Sequence, residues 1–207
     1  MSDLILLRHG ETAGQSSIRF YGSTDIALSE LGEKQMSHAG EALSELTFKT
    51  VITSPLRRSR DSASIVLDGR SPEPVVVEDF REINFGEWEG LTTVEISERY
   101  PDLYRKWKEH GSLSGFPGGD LRAEFFERAV TAAKDVFNRI EMPALAVLHK
   151  GVIRGILSAL LDIPVSDMTD RHIELGSIHR LGKISGGWRL LSENETGHLG
   201  EYRISNS

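Results

Sequence analysis

Three apolar stretches of this chain end in residue types able to hold an anion or act as a nucleophile. The run LILL at 4–7 ends in Arg8 and His9, TVIT at 50–53 ends in Ser54 with Arg57 and Arg58 close behind, and ALAVL at 144–148 ends in His149 and Lys150. Cations and imidazoles brought together repel one another unless an anion sits among them, and a planar guanidinium fork suits a tetrahedral oxyanion. A histidine near its unperturbed pKa of about 6.5 keeps a free lone pair at neutral pH, so it can attack phosphorus and carry the group as a phosphohistidine. Arginines then neutralise the equatorial oxygens of a loose transition state. The departing alkoxide needs a proton. REINFGEWEG at 81–90 offers Glu82, Glu87 and Glu89, with Phe85 and Trp88 at hand to desolvate a carboxyl and keep it protonated. Spacing alone does not choose among the three; Glu87 and Glu89 are most simply solvated charges.

One sheet must bring those three ends together. LILL is a continuous apolar run, as expected of a strand buried on both faces of a parallel sheet, and TVITS at 50–54 and ALAVLH at 144–149 follow the same pattern. PVVVE at 74–78 gives a shorter strand. Ser29 caps a first helix, Pro55 opens a second that runs to Leu67, and Asp120 opens a long amphipathic helix to about residue 141. An apolar helix follows Gly151 through Leu161, and 177–191 reads as an antiparallel hairpin through Gly186 and Gly187. The fold class expected is α/β: a three-layer sandwich with a mostly parallel central sheet and helices on both faces. In such sheets ligands bind beyond the carboxyl ends of the strands. Residues 80–119 differ in kind, being aromatic and acidic, with two short helices broken by Pro101 and a loose stretch at 111–119. They read as a lid or insertion over the site, within one domain spanning 1–207.

Composition removes other chemistries. The chain has 207 residues, a formal charge of -7 and no cysteine, which excludes disulfides, thiolate metal sites and a cysteine nucleophile. The acidic balance argues against nucleic acid as a partner. The apolar run at the N-terminus is stopped by Arg8, too early for a signal peptide or membrane span, so a cytoplasmic protein with no membrane partner is expected. H-E-x-x-H, paired aspartates and a Gly-rich Lys-Ser/Thr loop are all missing, so neither a metal nor another cofactor is expected. The other histidines, among them His38, His179 and His198, have no such company and read as surface or packing residues.

LLRHGET, FYGSTDIALSELGEKQ, TSPLRRSRDSA, REINFGEWEG and VLHKGVIRGIL, in that order, resemble the histidine phosphatase superfamily on its phosphoglycerate mutase-like branch, which includes small phosphatases of the α-ribazole phosphatase and broad-specificity types. The resemblance implies His9 as nucleophile, Arg8 and Arg58 as phosphate ligands, Glu82 as proton donor and His149 as a second imidazole on the transferring group. Where the family often has asparagine, six residues after the nucleophile, this chain has Gln15, a further phosphate ligand by position. Lys150 replaces a common glycine, and either contacts a second anionic group of the substrate or faces solvent. Ser59 and Ser62 replace an alanine and a threonine, a change expected to affect packing. Substrate contacts are expected from Arg19, Phe20 and Tyr21 after the nucleophile, and from Trp107 and Phe116 in the lid.

The activity expected is a metal-independent phosphomonoesterase acting on a small organic phosphate. Two alternatives remain at this level. A cofactor-dependent phosphoglycerate mutase would return the phosphoryl group to its substrate, yet the stretch between Glu82 and His149 is short for one. A noncatalytic phosphate-binding or scaffold protein would not need all five of His9, Arg8, Arg58, Glu82 and His149. An exposed face near the C-terminal hairpin leaves room for a homodimer.

Overall fold

Alternation along the strands builds two cores from one sheet. A computed structural model describes residues 3–110, 115–168 and 170–204. Its first strand, β1 (Leu4–Arg8), turns Leu4 and Leu6 to one face and Ile5 and Leu7 to the other, all buried, because successive side chains in a strand alternate. Each such side chain contributes about 1.5–3 kcal/mol on burial. β2 (Thr50–Thr53) and β4 (Ala144–Leu148) repeat the pattern, while β3 is only Val75–Val76. Leu4, Leu6, Ile52 and Ala146 pack with Phe125, Phe137, Ile153 and Ile156 from α5 (Arg122–Arg139) and α6 (Lys150–Leu161). Ile5, Leu7, Val51 and Val147 pack with Met36, Ala39, Ala63 and Val66 from α1 (Glu30–Ala42) and α2 (Arg57–Leu67). The three-layer sandwich is therefore present, with two helices on each face.

The strand order is β3-β2-β4-β1-β5-β6. The first four are parallel neighbours, and β5 (Ile178–Ile184) and β6 (Gly187–Glu195) add an antiparallel hairpin beyond β1. From β1 the chain crosses to β2 on one side, and from β4 it crosses to β5 on the other, so the order reverses at the β1–β4 pair. Arg8 is in register with Leu148, so the residues that follow, His9 and His149, emerge side by side at that reversal.

Two helix starts differ from the sequence expectation. Pro55 lies outside α2, because the Ser54 hydroxyl accepts the Leu56 N–H at 3.1 Å and holds Leu56 extended as N-cap. Asp120 does not cap α5, since its carboxylate accepts the Asn84 N–H at 2.9 Å and the cap position falls to Leu121. Ser29 does cap α1, accepting from Gly32 at 3.1 Å. Within 80–119, α3 (Thr93–Arg99) starts in a capping box between Thr92 and Glu95, and α4 begins at Pro101 and runs to His110. Residues 111–114 of the loose stretch lie outside the described residues.

Candidate active site

At the carboxyl ends of β1 and β4 lies a cavity of about 310 Å³ walled by Arg8, His9, the loop 16–21, Glu82, Phe85, Thr93, Trp107, Arg122, Lys150 and Arg154. A second cavity of the same volume sits at the β3 edge among Thr53, Arg60, Arg70 and Glu73, but it contains no imidazole. Arg8, His9, Glu82 and Lys150, singled out in the sequence, line the first.

His9 is 3% exposed, and its Nδ1 lies 2.7 Å from the Gly10 carbonyl oxygen. A carbonyl only accepts, so Nδ1 carries the proton and Nε2 presents its lone pair. Arg58 Nε donates to that Nε2 at 3.3 Å, while its two terminal nitrogens hold the carbonyls of Thr24 and Gly22 at 2.8 and 2.6 Å. Burial, then the charges of Arg58 and Arg8, push the His9 pKa well below the ordinary histidine value, so the ring stays neutral. Arg8 donates to the Ile173 carbonyl at 2.7 Å, and burial lowers its pKa to about 10.

His149 is fully buried, its ring centre 5.1 Å from that of His9. Its Nε2 meets the Ser54 hydroxyl at 2.6 Å. Ser54 also accepts from Leu56 N–H at 3.1 Å, so the hydroxyl ties the His149 ring to the start of α2. The other ring nitrogen of His149, Nδ1, is buried without a partner. Ser59, expected only to pack, bridges the same structure: its hydroxyl accepts from Ser54 N–H at 2.9 Å and donates to the Val147 carbonyl at 2.6 Å. Burial and then Arg58 hold the His149 pKa well below its usual value.

Glu82, 6% exposed, accepts from the Gly151 and Ile83 N–H groups at 2.9 and 3.0 Å. Gly151 is required there, since a Cβ would stand 2.4 Å from Glu82 Oε1 and 3.0 Å from Phe125. Glu87 is exposed and accepts from Tyr100 Oη at 2.9 Å. Glu89 is not a solvated charge: its carboxylate takes the N–H groups of Gly22, Ser23 and Phe85 at 3.0 Å each. It thereby pins the loop whose carbonyls cradle Arg58.

Arg19, Phe20 and Tyr21 line the cavity, with Arg19 engaged by Glu95 and the Gly90 carbonyl at 2.8 and 2.7 Å. Phe20 packs edge-on against Phe85, Trp88 and Trp107. Phe116 stands behind them, 5% exposed against Phe85 and Trp88, and does not reach the cavity. Gln15 is exposed with a left-handed φ of 64° and is not part of the wall; Ser16 and Ser17 take that place. Lys150 does line it, with burial and then Arg8 lowering its pKa to about 8. Sequence reasoning missed three groups. Glu11 is buried and folds the loop by accepting from Thr12 N–H and Ser16 Oγ at 2.7 and 2.9 Å, and Arg122 and Arg154 add positive charge to the cavity wall. Nothing in their local sequence distinguishes these from surface charges.

The model of the histidine phosphatase superfamily (branch 1) matches residues 4–196. The chain is 30% identical over 173 residues to a glucosyl-3-phosphoglycerate phosphatase of Mycolicibacterium vanbaalenii, covering 79% of this chain and 76% of the relative. It is 28% identical over 205 residues to phosphoserine phosphatase 1 of Hydrogenobacter thermophilus, covering 99% and 97%. The crystal structure of the α-ribazole phosphatase from Shigella flexneri superposes with a TM-score of 0.84 over 94% of this chain and 96% of that one, at 22% identity, a likeness of fold.

Proposed function

The chain belongs to the histidine phosphatase superfamily and is a phosphate-ester hydrolase, and on that footing we propose that His9 is its nucleophile, Glu82 its proton donor, and a small organic phosphomonoester its substrate. The observation that carries the assignment is the His9 ring itself: neutral, its Nδ1 proton tied to Gly10 O, its Nε2 lone pair beside Arg58 in a cavity that Glu82 also walls.

The phosphoryl group enters between Arg8, Arg58 and the two imidazoles. His9 Nε2 forms the P–N bond as the P–O bond to the leaving group breaks, and Glu82 transfers its proton to the departing oxygen. Arg8 and Arg58 offset the charge on the equatorial oxygens, with the His149 imidazole beside His9. Water then attacks phosphorus, Glu82 takes back a proton, the P–N bond breaks and inorganic phosphate leaves. Buried, prepositioned cations serve this better than mobile ones, because they need no reorganisation as the charge shifts. The described part of 80–119 acts as the cover, with Phe85 and Trp107 facing the organic part of the ester.

Rapid quenching with 32P-labelled substrate tests the assignment. An acid-labile, base-stable adduct on His9, lost in His9→Ala, is expected; label on another residue overturns it. With 3-phosphoglycerate the expected product is free phosphate, and conversion to 2-phosphoglycerate without phosphate release makes the mutase correct.

A further inference from the structure

The cavity holds more positive charge than one phosphoryl group uses. Arg8 and Arg58 serve that group, Arg19 is engaged by Glu95, and Arg154 holds the Arg171 carbonyl at 2.9 Å. Arg122 and Lys150 differ. The buried Nε of Arg122 has no hydrogen-bond partner, its guanidinium lying 5.9 Å from the Phe126 ring centre. The Lys150 amine forms neither hydrogen bond nor ion pair among the described residues. Both also wall a recess of about 100 Å³ that shares Glu82, Phe85, Arg122, Lys150 and Arg154 with the main cavity and is floored by Phe125 and Phe126.

Two cations in a half-buried, aromatic-floored recess are costly without an anion. Glu82 is the carboxylate among the recess residues, and it is held by two backbone N–H groups and serves as the acid. Resting on the functional reading above, we infer that Arg122 and Lys150 form a second anion subsite, so that the substrate is a phosphomonoester carrying another negative group, a carboxylate or a second phosphate, on the side of its body remote from the ester being cleaved. The phosphoryl end meets His9 at the ends of β1 and β4, and the other anion meets the first turns of α5 and α6. The mutual repulsion of the cations agrees with this: Lys150 is weakened as an acceptor of protons by burial and by Arg8 and Arg154, and an anion bound there relieves that penalty.

Matched ester pairs test it. 3-Phosphoglycerate differs from glycerol 3-phosphate, and phosphoserine from phosphoethanolamine, by a carboxylate; fructose 1,6-bisphosphate differs from fructose 6-phosphate by a phosphate. The wild type is expected to favour the more anionic member of at least one pair by roughly 10- to 100-fold in kcat/KM, the size of a charged hydrogen bond. Which pair responds identifies the anion. Lys150→Met and Arg122→Met should each shrink that ratio at least tenfold, and Arg122→Lys should restore part of it. Calorimetric binding of the same pairs to His9→Ala reports the preference independently of turnover. Equal kcat/KM and equal binding within every pair, or the same ratio in the variants, overturns the second subsite while leaving the phosphatase intact. Failure to hydrolyse even p-nitrophenyl phosphate, with the binding preference retained, strikes the catalytic assignment and not the subsite.

Discussion

Ser54 Oγ stands 2.6 Å from His149 Nε2, in a pair with no exposure to solvent. The hydroxyl also accepts Leu56 N–H, so it fixes the orientation of the His149 ring against the start of α2. Ser54 is thus a positioning residue acting through His149. Ser54→Ala is expected to lower kcat about tenfold, in line with the loss of one buried hydrogen bond, with KM little changed. The discriminating readout is the 15N spectrum of His149, whose Nε2 signal should shift when its hydroxyl partner is removed. An unchanged His149 spectrum with reduced kcat rejects the positioning role.

His9 makes a prediction about pH. Its pKa is lowered by burial first and by Arg58 and Arg8 next, and only the neutral ring can attack phosphorus. Protonation therefore begins well below pH 6.5, and the acid limb of kcat/KM assigned to this ring lies on the acid side of that value. Removing a neighbouring cation removes part of the downward push, so Arg58→Met should move the His9 titration upward in an NMR pH series. A titration that stays put, or moves down, contradicts the electrostatic account.

Much of the fold and part of the site were legible because they rest on short-range pattern. Four apolar residues ahead of Arg8 and His9 announce a buried strand, and the parallel pairing of such strands sets His9 beside His149 without further information. Long-range contacts were not legible. Glu89 looks like any acidic loop residue until the Gly22 and Ser23 N–H groups, more than sixty positions away, are found on its carboxylate. Asp120 has the right type for a helix cap, yet Asn84 claims its side chain. Gln15 occupies the position expected of a phosphate ligand, but its left-handed backbone leaves the side chain exposed and hands the wall to Ser16 and Ser17. Lys150 stays open between a second anion and solvent, and Arg122 carries no signal at all, until α5 and α6 bring their first turns to one recess.

His179 predicts acid sensitivity of the fold. It is buried in β5, its Nδ1 accepts Asn194 N–H at 3.2 Å, and its Nε2 lies 3.2 Å from Ser177 Oγ. Burial lowers its pKa to about 4. The unfolded chain takes up a proton near pH 6.5 while the folded chain refuses it until about pH 4, so stability falls as pH drops through that window and is unaffected above it. His9 and His149 act in the same direction. Urea unfolding at pH 7.5 and pH 5 should show His179→Gln losing less stability between the two than the wild type. Equal losses would mean that His179 is protonated in the fold.

The proton donor gives the most decisive comparison. A positioned acid contributes about 10²- to 10⁴-fold when the leaving group is a poor one, and almost nothing for p-nitrophenolate, which departs without a proton. Glu82→Gln keeps the shape of the side chain, and its amide oxygen can still accept one of the two N–H groups from Gly151 and Ile83. Hydrolysis of an alkyl phosphate should therefore fall by two or more orders of magnitude while p-nitrophenyl phosphate is largely spared, as stated for a general acid. Glu87→Gln is the neutral control, since Glu87 is exposed and its carboxylate accepts from Tyr100 Oη, away from the cavity wall. Glu89→Gln is not a control. It weakens the hold on Gly22 and Ser23, whose loop carries the carbonyls that orient Arg58, so both esters should slow together. If instead Glu89→Gln shows the dependence on leaving group and Glu82→Gln slows both esters equally, the roles of the two carboxylates are exchanged.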